Sequence, residues 1–172
     1  GDPSSIVEVG VKEATLLDTA DYKVTLDDRP AKYSKDDEYN FAMIFKTTAE
    51  NYTDQTVSFC ITDIKINGKD MQDTESSALH EKYGTQVSPK DLDYPSILIP
   101  FQSLYADDIT TVETISFVIE VYPVVGAYGE LGELLYSSDE VTIETIVGYE
   151  GADFEDDDEE DYEAEDKDDG YT

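Results

Sequence analysis

The residues of this chain that could do chemistry are one histidine, one cysteine and a large excess of carboxylates. His80 is the only histidine, so a multi-histidine metal site cannot form, and any catalytic triad would have to use this residue. It lies in a polar segment, where an exposed structural role is the simpler interpretation. Cys60 lies in an apolar stretch without a neighbouring cation, which predicts a buried and inert thiol. We therefore expect no enzymatic activity.

Several acidic clusters have the composition of calcium-binding turns. Ca²⁺ takes about six to eight oxygen ligands, and turns that are dense in aspartate can supply them. The candidate ligands are Asp27, Asp28, Asp36, Asp37, Asp107 and Asp108. None of these clusters has the spacing of an EF-hand loop, and solvated turn residues are the alternative interpretation. Apart from this candidate Ca²⁺, the sequence indicates no cofactor.

The charge balance excludes some partners and favours others. The chain has 42 acidic and 11 basic residues, a formal net charge of −31. Residues 150–172 hold 14 acids and one base, a net charge of −13, so the first 149 residues carry −18. Such a surface repels nucleic acids and anionic membranes. It attracts metal ions and basic proteins or peptides, although the charge could also serve solubility alone.

Tyrosines near predicted loops are the candidate ligand contacts. Sugar-binding sandwiches usually stack tryptophan against the sugar, and this chain has no tryptophan. Tyrosine-rich loops at one end of a sandwich can instead bind proteins. Tyr105 and Tyr128 are the residues that we select, with ordinary rim tyrosines as the alternative. The sequence thus leaves protein and glycan ligands open. Asn51-Tyr52-Thr53 fits the glycosylation pattern, which we interpret as chance.

The elements that must position these residues are strands. Alternating apolar residues predict strands over 22–26, 39–45, 56–66 and 114–121, and no segment has a sustained helical period. The apolar side chains of 39–45 lie on both faces, which predicts a central strand. The parity of the apolar residues changes within 56–66, which indicates either a β-bulge or a strand that crosses between the sheets. Asn67-Gly68 then predicts a tight hairpin, and Pro100 predicts an edge strand.

Two segments depart from this pattern. Residues 74–83 could form about two helical turns inside an irregular insertion that spans 72–96, and 103–108 resembles one helical turn. In that insertion Pro89 and Pro95 are expected to bracket a loop. Residues 150–172 are too acidic to bury enough apolar surface and should be disordered. We therefore predict an all-β, immunoglobulin-like antiparallel β-sandwich over 1–149 with one short helical insertion, followed by a disordered acidic tail over 150–172.

Four segments carry a resemblance to a known family, namely 56–69, 98–109, 114–122 and 134–143. They include a strand that ends in Asn-Gly, a short helical element and a last strand with an apolar-Thr-apolar pattern. Together they resemble an immunoglobulin-like domain of exported lipoproteins and surface proteins of Gram-positive bacteria. The resemblance covers about residues 8–147 and implies an extracellular domain, anchored to the bacterial envelope by an upstream lipid or leader. It implies no activity.

These observations predict a non-enzymatic module at the cell surface that binds a protein or glycan or acts in adhesion. The alternative is a Ca²⁺-stabilised structural spacer in an envelope protein. The chain has no run of apolar residues long enough to span a membrane. The sequence leaves the oligomeric state open.

Overall fold

The structure is a computed structural model that describes residues 9–27, 32–34, 42–70, 84–100, 103–104 and 107–147. In these ranges the chain forms thirteen strands: β1 (Val9–Val11), β2 (Ala14–Asp18), β3 (Tyr22–Leu26), β4 (Lys32–Ser34), β5 (Ala42–Asn51), β6 (Val57–Ile66), β7 (Lys69–Asp70), β8 (Thr85–Val87), β9 (Asp91–Asp93), β10 (Ser96–Pro100), β11 (Thr114–Pro123), β12 (Tyr136–Ser137) and β13 (Val141–Val147). Ser103 and Leu104 are helical, as expected for this stretch. The predicted helix over 74–83 and the predicted tail over 150–172 lie outside the described residues.

The strands form two antiparallel sheets, which confirms the predicted all-β sandwich. The first sheet has the order β1-β13-β11-β6-β7, with β12 on β11 and β8 on β6. The second sheet has the order β10-β5-β3-β2, with β4 and β9 on β5. The sets β6-β11-β13 and β3-β5-β10 reproduce the C-F-G and A-B-E strand orders of immunoglobulin domains.

The core lies between the sheets because alternate residues of the long strands point inward. In β11 the residues Ile115, Phe117, Ile119 and Val121 are all buried. The largest fully buried side chains are Phe45, Phe59, Phe117, Leu26, Met43, Ile66, Ile97, Leu104, Ile115, Ile119 and Val9. They come from both sheets, as a two-layer sandwich requires.

The predicted bulge and hairpin of β6 are both present. The register between β6 and β11 shifts between Ser116 and Val118, and Asp63 has a φ angle of 54° at this point. The shift turns Ile64 inward, so that it is buried although its parity differs from the start of the strand. After β6, Asn67 and Gly68 have φ angles of 55° and 81°, as a type I′ turn requires.

The second sheet is centred on β5, as predicted. On one side β5 pairs with β9 and β10 in a single register that runs from Asn51 opposite Asp91 to Ala42 opposite Pro100. Residues 91–100 therefore form one continuous edge, and the expected loop up to Pro95 was wrong. Pro95 can take part in this edge because the pairing with β5 uses only its carbonyl. That carbonyl accepts hydrogen bonds from the amide of Thr47 at 3.0 Å and from the hydroxyl of Thr47 at 2.7 Å.

The free side of this edge is partly closed by its own side chains. Because Asp91, Asp93 and Pro95 face β5, the amides of Leu92 and Tyr94 point away from the sheet. The amide of Leu92 donates to Oδ1 of Asp91 at 2.8 Å, and the amide of Tyr94 donates to Oδ1 of Asp93 at 2.7 Å. These carboxylates occupy donors that a second strand would otherwise bind.

Candidate functional site

Large apolar side chains are exposed mainly toward one end of the sandwich. Among the described residues the exposed ones are Tyr52, Leu92, Tyr94, Val125, Tyr128, Leu134, Leu135 and Ile146. All except Ile146 lie toward the end at which β5 and β11 finish. We call this the hairpin end and define it by the turn 19–21, the loops 52–56 and 88–90, and the segment 124–135. The opposite end, the turn end, comprises 67–68, 107–113 and the last residues of β13.

Backbone hydrogen bonds hold the loops of the hairpin end together. The amide of Tyr52 donates to the carbonyl of Asp21 at 2.9 Å, and the amide of Lys90 donates to the carbonyl of Thr53 at 3.2 Å. The amide of Val124 donates to the carbonyl of Thr56 at 3.0 Å. The loop 52–56 therefore contacts each of the other three segments and acts as their common support.

The fully buried side chain of Asn51 organises this loop from within. Its amide nitrogen faces the carbonyls of Gln55 at 2.8 Å and of Val87 and Ser88, both at 3.1 Å. Its oxygen accepts bonds from the amide of Thr53 at 3.0 Å and the hydroxyl of Thr53 at 2.7 Å. A glycan could not be attached to Asn51 in the folded chain, which agrees with a chance match to the glycosylation pattern.

Lys90 adds a second connection between the two loops. Its Nζ donates to the carbonyl of Tyr52 at 2.6 Å and lies 3.7 Å from a carboxylate oxygen of Asp54. The ring of Tyr52 projects near Glu50. Partial desolvation, followed by the negative charge and hydrogen bond of Glu50, raises the pKa of the Tyr52 hydroxyl, so this phenol stays protonated at neutral pH.

The segment 124–135 forms a closed hairpin loop. Val124 and Leu131 form a β-bridge, and the amide of Val125 donates to the carbonyl of Glu130 at 2.8 Å. At the tip, the amide of Gly129 donates to the carbonyl of Gly126 at 3.3 Å. The tip presents Tyr128, whose side chain is 94% exposed and the most exposed of the large apolar side chains described.

The base of this hairpin is fixed by aromatic packing. On β12, Tyr136 contacts Tyr22 with ring centroids 6.3 Å apart, and Tyr22 meets Phe59 edge-on at 5.9 Å. Burial and then the charge of Asp21 raise the pKa of Tyr22. The hairpin therefore projects from a packed aromatic support.

Four exposed apolar side chains lie on this one hairpin, and we call them the hairpin patch: Val125, Tyr128, Leu134 and Leu135. Val125 is 62% exposed, and the adjacent Leu134 and Leu135 are 46% and 45% exposed. Acids flank the patch at Glu130 and Glu133, both of which are exposed. Exposed apolar side chains grouped on one loop beside acids are typical of a protein-binding surface.

The structure describes one of the two predicted tyrosines. Tyr128 lies at the hairpin tip, whereas Tyr105 lies outside the described residues. Leu104 and Asp107, which flank Tyr105 in sequence, are joined through a bond from the amide of Asp107 to the carbonyl of Leu104 at 3.2 Å. Both belong to the part of the chain nearest the turn end, since Asp107 also forms an ion pair with Lys69 at 3.3 Å.

The candidate calcium ligands are only partly described. Asp28, Asp36 and Asp37 lie outside the described residues, as does His80. Asp27 is half-buried and accepts a bond from the hydroxyl of Thr48 at 3.4 Å, and Asp108 is exposed with a φ angle of 58°. In the described ranges no three acidic, histidine or cysteine side chains come together as a metal site would require. The prediction of a calcium site stays a prediction.

An open groove of about 460 Å³ lies between residues 12–14 and 142–146, toward the turn end. Cys60 is buried, as predicted. In the part of the chain that the structure describes, no helix has the length and apolar character needed to cross a membrane.

Comparison with known proteins gives no family for this chain. No protein-family model and no curated protein matches it. Among solved structures, the GAE domain of yeast GGA1 is similar over 79% of this chain and 97% of its own, with 5% identity and a TM-score of 0.29. A conserved hypothetical protein from Bacillus anthracis is similar over 74% of this chain and 99% of its own, with 12% identity and a TM-score of 0.32. The fold assignment therefore rests on the strand pairing described above.

Proposed function

We propose that this chain is a non-enzymatic binding module that engages a protein partner through the hairpin patch. The observation that carries the proposal is the exposure of Val125, Tyr128, Leu134 and Leu135 on a single hairpin. Apolar side chains that are exposed together are better explained by a partner than by chance, because their contact with water is unfavourable. Tyrosine is suited to such contacts, since its large ring has few rotatable bonds.

The support beneath the patch favours binding without a large loss of conformational entropy. The hairpin is tied to the loop 52–56 through Val124, and that loop is in turn fixed by the buried side chain of Asn51. A binding surface that is ordered before contact loses less conformational entropy on association. A protein ligand is favoured over a glycan because the side chains of the hairpin patch offer few hydrogen-bonding groups.

The first and last described residues lie at the turn end, away from the hairpin patch. Val9, the first described residue, pairs with Val147, the last one. Both lie at the turn end, because Thr145 donates its amide to the carbonyl of Glu113 beside the start of β11. Attachment of the domain through the chain next to Val9 or next to Val147 would direct the patch away from the point of attachment. This geometry supports display, and the resemblance to exported lipoprotein domains supports the bacterial cell surface as the location.

Site-specific photo-crosslinking tests the proposal. The photoreactive residue p-benzoylphenylalanine replaces Tyr128 in one variant and Ile146, at the turn end, in a matched control, and intact producing cells are irradiated. We expect a discrete protein adduct from position 128 that disappears when Leu135→Ser is added, and none from position 146. Adducts of equal yield from both positions, or none from position 128, would show the proposal to be wrong. Labelling with a membrane-impermeant amine reagent tests the location separately.

A further inference from the structure

The segment that carries the hairpin patch contains acidic residues and no basic ones. Between Lys90 and Lys167 the chain contains no lysine, arginine or histidine. This stretch includes β11, the whole hairpin and β13. The exposed carboxylates of Glu130 and Glu133 therefore lack a basic neighbour within their own segment, and none of the ion pairs in the described residues involves them.

The other loops of the hairpin end extend this acidic border. Asp21 and Asp54 are exposed there, and Lys90 is the only cation of the described loops at this end. The ammonium group of Lys90 is already bound to the carbonyl of Tyr52 and lies near Asp54. The described loops of this end thus present carboxylates, and Lys90, their one cation, is engaged in holding the loops. The next described cation, Lys23, lies on β3 opposite Glu50 of β5.

The position of Glu130 makes this charge part of the hairpin tip. Its carboxylate lies over Gly126, in space that a side chain at position 126 would occupy. Gly126 and Glu130 lie two residues to either side of Tyr128 in sequence. A ligand that packs on the ring of Tyr128 therefore approaches a carboxylate as well as an apolar surface.

The combination of apolar side chains and neighbouring carboxylates favours some ligands of the patch over others. A second copy of the chain would bring two acidic surfaces together, and the chain has a net charge of −31, so self-association through the patch is opposed by repulsion. A segment with lysine or arginine beside its apolar anchors gains attraction from the border and burial from the patch. The charge complementarity points to such a segment.

We propose that the hairpin patch binds protein segments in which apolar anchor side chains are flanked by lysine or arginine. This inference rests on the proposed function, because it assigns the chemistry of the partner to the same surface. The apolar anchors cover Val125, Tyr128 and the two leucines, and the flanking cations face Glu130 and Glu133. The acidic border sets specificity and the rate of association, whereas the apolar contacts supply most of the affinity.

The test uses a phage-displayed library of random twelve-residue peptides, selected on the full chain at about 0.15 M salt. Clones are counter-selected on the Tyr128→Ser variant. We expect the remaining clones to contain apolar residues flanked by lysine or arginine. For the best clone, made as a synthetic peptide, Glu130→Gln with Glu133→Gln should lower affinity about tenfold, and the effect should shrink at high salt.

The matched control is Glu113→Gln with Glu144→Gln, which removes the same charge from exposed positions near the turn end. It should change the affinity little. Clones that depend on Tyr128 but lack basic residues, or an equal effect of both double variants, would overturn this inference and leave the proposed function standing. The absence of any clone that depends on Tyr128 would count against both. A dimer in sedimentation velocity that Tyr128→Ser abolishes would assign the patch to a second copy and also overturn the inference.

Discussion

Asn51 and Asn67 close opposite ends of the sandwich, and they do so from different environments. Asn51 is fully buried and binds the backbone of residues 53–55 and 87–88. Asn67 is exposed, and its side chain bonds the carbonyl of Thr111 at 2.8 Å and the amides of Glu113 at 2.7 Å and Thr114 at 3.2 Å. An asparagine side chain thus holds the loops at each end of the sandwich, from a buried position at one end and from an exposed position at the other.

The difference explains why the two ends have different surfaces. At the turn end the polar contacts that organise the loops lie on the surface, among charged groups such as the Lys69–Asp107 pair. At the hairpin end the contacts of Asn51 lie beneath the loops, and the exposed side chain of Lys90 adds one contact at the surface. Other surface side chains there, such as Tyr128 and Val125, make no contact that holds the loop 52–56, and these positions are free to be apolar.

Removal of each asparagine side chain in turn should give the largest effects on stability and should distinguish the buried arrangement from the exposed one. Asn51→Ala leaves several carbonyls without their donor in a buried site, and we expect a loss of about 4 kcal/mol in the free energy of unfolding. Asn67→Ala loses exposed bonds and places alanine at positive φ, for an expected loss of about 2 kcal/mol. Urea denaturation of both variants measures the difference. Equal losses would show that burial does not distinguish the ends.

Two glycines with positive φ provide a second and smaller contrast. Gly84 and Gly68 have φ angles of 61° and 81°. A Cβ on Gly84 would lie 2.6 Å from Sγ of buried Cys60 and 2.6 Å from the carbonyl oxygen of Phe59, whereas nothing lies within 4 Å of one on Gly68. We expect Gly84→Ala to cost about 3 kcal/mol and Gly68→Ala about 1 kcal/mol.

Thermal and urea unfolding of these two alanine variants, measured side by side, checks the contrast. The two variants share the backbone penalty, so the difference between them reports the steric contact at Gly84. A Gly84→Ala variant as stable as Gly68→Ala would mean that the neighbouring side chains move aside freely.

The smallest expected effect on stability concerns the edge formed by β9. Asp91→Ala with Asp93→Ala frees the outward amides of Leu92 and Tyr94, so pairing with another chain becomes easier. We expect the stability of the monomer to change by less than about 1 kcal/mol, while self-association at high protein concentration rises. Sedimentation velocity measures this, with Asp18→Ala as a control for loss of surface charge. Association that rises equally in the control would assign the effect to charge.

Features of the fold that depend on residues close together in the sequence could be predicted from it. The bulge at Asp63 changes the parity of the apolar residues within one strand, and Asn67-Gly68 tolerates the positive φ angles of its turn. The edge position of β10 followed from Pro100, which cannot donate a backbone bond. In each of these cases the physical constraint acts within a few residues.

Features that depend on distant contacts could not be predicted. The stretch around Asn51 has the composition of an exposed connector, and its burial depends on Val87, which is 36 residues further along the chain. Pro95 suggested a loop, but its carbonyl continues the ladder to Thr47. At the candidate site, Tyr128 could be selected as a loop tyrosine. Leu134 and Leu135 could not, because apolar residues beside a turn usually face the core.

The pairing of Val9 with Val147 determines how the described part of the chain would respond to tension. These residues begin and end it side by side in an antiparallel ladder. A pulling force applied across them would act perpendicular to the strands and separate β1 from β13 one hydrogen bond at a time. Such unzipping needs less force than shearing a whole ladder at once. β1 would therefore detach first, while the longer β6–β11 pairing and the hairpin end, far from the points of load, stayed folded.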